Sequence, residues 1–391
     1  MYKRDAEEKL LELSRSLPVV TITGPRQAGK TTLVKKIFGE KPYVNLEDLD
    51  QREFALSDPR KFLGQFPDGA IIDEVQHAPD LLSYIQVIVD EKDPVGMFIL
   101  TGSEQLAVHQ AIVQSLAGRV ALFNLYPMSL NELQKASIHL TLDEAIYTGG
   151  YPRLFAKHLN PSQVYKDYIQ TYLERDLRKL TTVKDLSQFQ KFLRLCAGRI
   201  GQLLNLNSLA GDVGVSTKTI QHWISILEAS FILIRLQPYY ENFGKRSIKA
   251  PKLYFSDVGL ACYLLGIYNT DQLSRDPLRG CLVENLIFLE LLKTQANQAK
   301  DPDLYFFRDA HGHEVDFIFK HGRELYPVEV KAAQTFHLTF LKSIEFFQGL
   351  AQERCQKGFL VYAGEIEQPI HSIEVLNYKN ACKIISISQE Q

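Results

Sequence analysis

Residues Gly24–Thr31 read G-P-R-Q-A-G-K-T and satisfy every fixed position of G-x-x-x-x-G-K-[ST]. No other stretch of the chain restricts its fold as strongly. Gly24 and Gly29 permit a tight backbone turn whose successive N–H groups point inward, where they can bind phosphate oxygens. Pro25, Arg26, Gln27 and Ala28 form the body of the loop. Lys30 adds a mobile positive charge for the terminal phosphates, and the Thr31 hydroxyl, with Thr32 beside it, suits Mg²⁺. The flanks agree. Pro18–Thr23 is a β-branched run expected to be a buried strand, and Thr31–Phe38 has helical spacing. The phosphates would then sit at a helix N-terminus.

The first 130 residues continue this alternation of short apolar runs and helical stretches, which predicts a parallel α/β sheet. Strands are expected at Val19–Thr23, Tyr43–Asn45, Ala70–Ile72, Met97–Leu100 and Val120–Asn124. Beyond Pro127 the pattern is helical through Leu130–Ala136, Leu142–Tyr147 and Gln163–Leu180, broken sharply by Gly149-Gly150-Tyr151-Pro152. Asn207–Ser216 leads into Thr217–Ile226 as helix, turn at Gly214, and a second helix capped by Ser216. Phe231–Leu236 and Lys252–Phe255 follow as the two strands of a wing. From about Leu282 a helical run carrying Glu284 precedes strands at Leu304–Arg308, Glu314–Phe319, Leu325–Val330 and Gly358–Tyr362. The expected modules are 1–128, a nucleotide-binding core; 129–200, a helical lid or connector; 201–272, a winged-helix-like module; and 273–391, a second α/β domain.

Charge is unevenly placed. The chain has a formal charge of −2, but Arg153–Lys249 holds 15 Lys/Arg against 7 Asp/Glu, so the remainder carries −10. A basic middle third fits a polyanion partner, a solvated face, or a surface that meets the acidic remainder. The five cysteines are scattered and never in C-x-x-C spacing, which argues against a disulfide framework or a zinc knuckle. The N-terminus is charged where a signal peptide would be apolar, and no apolar run reaches the roughly 18 residues of a membrane span. A cytoplasmic protein with no membrane partner is expected.

A phosphate cradle needs a metal carboxylate and a group that orients water before it can hydrolyse anything. Ala70-Ile71-Ile72-Asp73-Glu74 supplies both at the C-terminal end of a buried strand. Asp73 is expected to hold Mg²⁺ and Glu74 to act as general base. Thr101 and Ser103, at the tip of the next apolar strand, are candidates to sense the γ-phosphate. Arg119 is the candidate to stabilise transition-state charge, in its own subunit or a neighbour's, with Arg153 and Arg175 as weaker rivals.

The elements G-P-R-Q-A-G-K-T-T-L, I-I-D-E-V-Q, I-L-T-G-S, L-A-G-R-V, G-G-Y-P and Y-L-E-R-D-L resemble the prokaryotic AAA-type ATPases that carry a long uncharacterised C-terminal region. The resemblance implies an additional-strand P-loop core, an NTPase that uses ATP, and Asp73 and Glu74 in the roles given above. Such relatives usually form hexameric rings, which makes a homo-oligomer an expectation. No N-K-x-D motif follows the loop, which disfavours GTP.

The C-terminal acids form a second constellation. Asp316 lies in E-V-D-F-I-F, and thirteen residues later comes Glu329-Val330-Lys331. Period-2 alternation puts Glu329 and Lys331 on one face of a strand, and the His321-Gly322 turn lets Asp316 reach that face from the neighbouring strand. Glu284 on the preceding helix is a fourth member. The pattern D-x(~12)-E-x-K resembles the PD-(D/E)xK nuclease fold, a restriction-endonuclease-like α/β domain, with Val315 standing where the motif's name has proline. Phosphodiester cleavage needs a divalent metal, here on Asp316, Glu329 and Glu284, an activated water, and a lysine such as Lys331. His311 and His313 are left outside the ligand set. Ser216, Thr217, Lys218 and Gln221 would line a recognition helix. The resulting expectation is a Mg²⁺-dependent ATPase whose nucleotide state controls a DNA-interacting, nuclease-like half. The alternatives are a nucleotide-operated switch that binds a protein partner, or a DNA-binding regulator with a non-cutting nuclease fold.

Overall fold

The computed structural model describes residues 2–92, 94–103, 115–173, 186–240 and 249–387. Arg175 and the later part of the helix expected over Gln163–Leu180 lie outside these residues. The chain divides into two units. The first comprises Met1–Met128 with Ala229–Phe231 and Ala296–Lys300; the second comprises Ser129–Glu228, Ile232–Gln295 and Asp301–Gln391.

The first unit is built on five strands, β1 (Val19–Thr23), β2 (Tyr43–Asn45), β3 (Ile71–Asp73), β4 (Phe98–Gly102) and β5 (Val120–Asn124). Their order is β2-β3-β4-β1-β5, and every pair is parallel. Alternation divides each strand between two cores. Val19, Ile72, Phe98 and Leu100 pack with Leu81, Leu82, Ile85 and Val89 of helix α3 (Leu81–Lys92). Val20, Ile22, Ile99 and Phe123 pack with Leu10 of α1 (Glu7–Ser16) and with Leu33 and Val34 of α2 (Lys30–Ile37). Strands buried on both faces must be apolar along their whole length, which is why they read as continuous runs. Parallel register brings the C-terminal ends of β1, β3 and β4 to one edge, where Thr23 pairs with Gly102 and Ile72 with Leu100.

The second unit begins with short helices at Leu130–Lys135 and Leu142–Thr148, each opened by a capping box, Ser129 with Glu132 and Thr141 with Glu144. The G-G-Y-P break is a packing knot. Gly149 sits at φ 70°, where an added Cβ would lie 2.2 Å from the Tyr165 hydroxyl oxygen and 2.3 Å from an Asp257 oxygen. Asp257 accepts from Gly150 N at 2.8 Å and from the Tyr165 hydroxyl at 2.6 Å, so only glycine fits. The following α-helix runs from Pro161 to Tyr168 and then widens to a π-helical turn over Ile169–Leu173. It is therefore not the single α-helix expected from its spacing.

Helices α4 (Leu206–Val213) and α5 (Thr217–Ala229) meet at Gly214, φ 89°, and the Ser216 hydroxyl caps α5 by accepting from Thr219 N at 3.1 Å. Trp223 and Ile224 are buried, with the Trp223 ring 5.3 and 5.4 Å from those of Phe189 and Phe192. Strands β6 (Leu233–Leu236) and β7 (Lys252–Phe255) pair antiparallel. β6 starts later than expected because Phe231 is in a left-handed turn at φ 55°.

Helix α6 (Arg279–Ala296) then leads into a six-stranded mixed sheet. Its strands are β8 (Leu304–Arg308), β9 (Glu314–His321), β10 (Glu324–Lys331), β11 (Gly358–Tyr362), β12 (Gln368–Ile370) and β13 (Ile373–Asn377), ordered β12-β13-β11-β10-β9-β8. β8, β9 and β10 are antiparallel neighbours, whereas β10, β11 and β13 run parallel. Helix α7 (Lys342–Ala351) makes the β10–β11 crossover, packing Phe347 with Val315, Ile318 and Leu325. Among the described residues no helix is long and apolar enough to cross a membrane.

Candidate functional sites

At the C-terminal edge of the parallel sheet, Gly24–Thr31 joins β1 to α2. Gly24 takes φ 144°, and a Cβ there would lie 2.1 Å from the Leu125 carbonyl oxygen, so the close approach of these strand ends demands glycine. Gln27 and Gly29 also have positive φ, 64° and 95°. Gly29 caps α2 without a side-chain bond, so the first amides of that helix face the loop. The buried Lys30 ammonium donates to the carbonyls of Gly24 at 2.8 Å and Pro25 at 2.9 Å. Burial pushes its pKa down to about 8, against the opposing pull of Glu74 and Asp73, and nearby Arg26 adds to the depression. Arg4 braces the loop from behind: its buried guanidinium donates to the Ala28 carbonyl at 3.0 Å and the Tyr126 carbonyl at 2.7 Å.

Asp73 closes β3 and is buried under three hydroxyls. Thr31 Oγ1 donates to its Oδ2 at 2.8 Å, the Tyr43 hydroxyl to the same oxygen at 2.7 Å, and Thr101 Oγ1 to Oδ1. Glu74 is held left-handed at φ 57°, a strained conformation of the kind that clusters at functional sites. Its amide donates to Thr101 Oγ1 at 3.3 Å. Its carboxylate accepts from Ser103 Oγ at 3.2 Å and from Gln76 Nε2. Thr31 and Asp73 thus present hard oxygens side by side, a donor set that fits Mg²⁺. Thr32 follows Thr31 in the first turn of α2.

Arg119 is placed elsewhere. It precedes β5, its carbonyl accepts from Val19 N at the opposite edge of the sheet, and its guanidinium forks onto Asp90. The five residues of β1 separate it from the loop, about 16 Å at strand rise. The expectation that it serves the phosphates of its own chain is therefore corrected. Arg153 lies in a short helix of the second unit.

In the second unit the acids named from sequence do gather. β9 and β10 pair in the register Val328 with Phe317, and the next step brings Val330 N to Asp316 Oδ2 at 2.8 Å. Lys331 Nζ bridges to Glu329 Oε1 along the same strand. Glu284 on α6 joins them, and its Oε1 accepts from the Tyr254 hydroxyl at 2.5 Å and from Lys252 Nζ at 2.9 Å. Lys252 also meets Glu314 Oε1 at 2.6 Å, and Arg308 meets the other Glu314 oxygen at 3.2 Å. Burial, and after it the charge of Asp316, pushes the Glu284 and Glu329 carboxyls up to about 7. Burial also raises Asp316. Burial works to lower Lys252, but Glu284, Asp316 and Glu314 hold it above the ordinary lysine range. The Ser343 hydroxyl favours the charged form of Glu329, yet buried Glu329 Oε2 lacks a hydrogen bond of ordinary geometry. These hard oxygens suit a divalent cation in kind, although among the described residues no three acids, histidines or cysteines already form a closed cage. His313 is structural: its Nδ1 meets Asp309 at 2.9 Å and its ring stacks on Phe346 at 4.0 Å. On α5, Lys218 and Gln221 are exposed, while the Thr217 hydroxyl donates to Asn207 at 3.0 Å.

Comparison with known proteins agrees with this division. Residues 16–134 match the family model described as an AAA domain; residues 139–271 and 279–381 match two domains of unknown function, DUF8612 and DUF4143. The uncharacterized protein Rv2008c of Mycobacterium tuberculosis and the uncharacterized protein Mb2031c of Mycobacterium bovis are each 30% identical over 371 residues, covering 94% of this chain and 81% of theirs. The chain belongs to the family of these mycobacterial proteins. Among solved structures, a Walker-type ATPase of Pyrococcus abyssi is 16% identical and covers 68% of this chain and 96% of its own, with a TM-score of 0.46. Residues 16–134 of this chain form an AAA domain.

Within the first unit, sequence reasoning passed over Arg4, Tyr43 and Gln76, which contact the loop, Asp73 and Glu74 respectively. Gln76 lies in I-I-D-E-V-Q, so the motif itself carried that signal. In the second unit Lys252, Tyr254 and Glu314 were missed.

Proposed function

We propose that this protein is a Mg²⁺-dependent ATPase whose second unit acts on nucleic acid, probed most directly as DNA. One observation carries the ATPase reading: Thr31, Asp73, Glu74, Ser103 and Thr101 form a continuous hydrogen-bonded set beside a Gly-rich loop. In this reading the amides of residues 24–31 cradle the phosphates and Lys30 leaves the loop carbonyls to meet the terminal phosphates. Mg²⁺, held by Thr31 and Asp73, supplies charge neutralisation, and Glu74 accepts the proton of the attacking water, with Gln76 and Ser103 fixing its carboxylate. Calorimetric titration of ATP with Mg²⁺ should give a saturable signal in the wild type and none in Lys30→Ala. Saturable heat of equal size in both proteins would remove the loop assignment.

The reading of the second unit rests on Asp316, Glu329 and Glu284 meeting beside Lys331 in a buried setting. That donor set supports a metal-dependent, nuclease-like site, and exposed Lys218 and Gln221 at the start of α5 support contact with DNA. Linear and supercoiled DNA incubated with Mg²⁺ or Mn²⁺ should be cut by the wild type and spared by Lys331→Ala. If neither protein cuts and Lys218→Ala leaves salt-dependent DNA binding unchanged, a nucleotide-operated switch for a protein partner takes its place.

A further inference from the structure

The second unit holds a cavity of about 440 Å³ that lies outside both sites described above. Small-molecule sites run from roughly 300 to 1,000 Å³. Three elements wall it: the helix over Pro161–Tyr168 with the π-helical turn that extends it, the helix over Leu186–Ala197, and the end of the helix over Val258–Leu265. Two cations and no acid line it. Lys166 and Gln170 stand on the first wall, and Gln190 and Arg194 stand one turn apart on the second. Asp167, beside Lys166 in sequence, is engaged by Gln163 Nε2 at 2.8 Å.

Tyr263 and Tyr268 belong to the third wall. Gly266, at φ 78°, ends the helix, and Ile267 N then donates to the Cys262 carbonyl at 3.0 Å. Ile267 is buried, and the next residue turns outward, so that Tyr268 is 54% exposed. The Tyr268 amide donates to Gln272 Oε1 at 2.7 Å, which fixes the main chain beneath the ring. Tyr263 meets that ring edge-on, with centroids 6.4 Å apart. A ring held half in water adds little to a core, but on a fixed backbone it makes a stacking platform. The π-helical turn is an independent sign. Such turns are rare and cluster at functional sites, and this one gives the cavity Ile169 and Gln170.

The lining selects its occupant by chemistry. Lysine and arginine attract phosphate, and an exposed tyrosine takes the face of a flat heterocycle. Glutamine amides both donate and accept, as the edges of bases require. An acidic peptide would satisfy the cations but gives the ring nothing flat to stack on. A duplex hides its base faces in its own stack. Both cations also fall within Arg153–Lys249, the stretch with 15 Lys/Arg against 7 Asp/Glu. We propose that this cavity binds single-stranded nucleic acid: one base stacks on Tyr268, Gln170 and Gln190 bond its edge, and Lys166 and Arg194 hold the flanking phosphates. This rests on the reading that the second unit acts on nucleic acid. Lys166, Gln170, Arg194 and Tyr268 are exposed at the rim, which lets a continuous strand pass through, whereas a free nucleotide calls for a closed pocket.

Fluorescence anisotropy of a labelled single-stranded oligonucleotide with the full chain tests the site. Tyr268→Ala should weaken binding about ten-fold, and Tyr268→Phe, which keeps the ring, should match the wild type. Lys166→Ala and Arg194→Ala should each lower the slope of log affinity against log salt by about 0.7. A duplex of the same sequence should bind the wild type and Tyr268→Ala equally. All three side chains are exposed, so the variants spare the core. Strand affinity unchanged in Tyr268→Ala, with the full salt slope kept in Lys166→Ala and Arg194→Ala, would overturn this cavity and leave nucleic-acid binding elsewhere on the chain standing. No binding of strand or duplex by the wild type would overturn both readings. Displacement of the strand by thymidine monophosphate at equal concentration would make this a site for a free nucleotide. Polyglutamate binding that Arg194→Ala abolishes, without strand binding, would make it a site for an acidic peptide. Either of these results overturns the proposal.

Discussion

The two acid-and-lysine sites use the same groups in opposite ways. Beside the glycine-rich loop, Lys30 bonds main-chain carbonyls, while Asp73 and Glu74 are held by neutral hydroxyls and an amide side chain. In the mixed-sheet site, Lys252 and Lys331 lie directly on the carboxylates. The first arrangement keeps opposite charges apart and therefore available to a ligand that carries both phosphate and metal. The second has its charges engaged with one another, so a ligand there must compete with an ion pair before it gains anything. Similar residue lists thus describe one cluster whose opposite charges are kept apart and one whose charges are paired.

The most severe test of the contrast is the carboxylate proposed as general base. Glu74→Gln should retain ATP affinity in calorimetry and lose about 10²–10⁴-fold in steady-state phosphate release. Wild-type turnover in that variant would remove Glu74 as base. Next comes stability. Lys252→Ala leaves buried Glu284 with the Tyr254 hydroxyl but no cation, while Glu314 keeps Arg308, and should cost about 3–5 kcal/mol in urea denaturation. Tyr43→Phe removes a single hydroxyl from Asp73, which keeps Thr31 and Thr101, and should cost about 1 kcal/mol. Similar losses in the two variants would erase the difference between paired and separated charges.

The smallest effect concerns protons. Lys30 is depressed to about 8 from 10.5, so between these values the unfolded chain holds more protons than the folded one. This group alone therefore makes stability rise with pH across that window. Phosphate oxygens restore the proton, so ATP binding at about pH 9 should take up nearly one proton, and less at about pH 7, as shown by binding heats in buffers of different ionisation enthalpy. Equal uptake at both would mean that Lys30 is not desolvated as described.

The AAA portion was readable because each requirement is local. A two-sided sheet demands continuous apolar strands, and Val19–Thr23, Tyr43–Asn45 and Val120–Asn124 lie where their composition put them. Asp316, Glu329 and Lys331 were readable for a related reason, since one hairpin register brings them together. Lys252 was not. In K-L-Y-F nothing distinguishes a strand lysine facing water from one enclosed by acids, because Glu284 lies 32 residues away and meets it only through tertiary packing. Arg119 precedes β5, which runs parallel to β1, so it lies at the end of the sheet away from the loop, where Asp90 claims its guanidinium; a role in a neighbouring subunit is a separate matter. Strands β12 and β13 escaped notice because one is three residues long and carries Pro369, a residue suited to an unpaired edge.

Arg4 has a practical bearing on work at the bench. Its grip on Ala28 and Tyr126 couples the front of the polypeptide to the nucleotide loop. A purification handle joined immediately ahead of it would pull on that loop, and weakened ATP affinity in such a preparation would report the handle rather than the protein. A long spacer avoids the artefact.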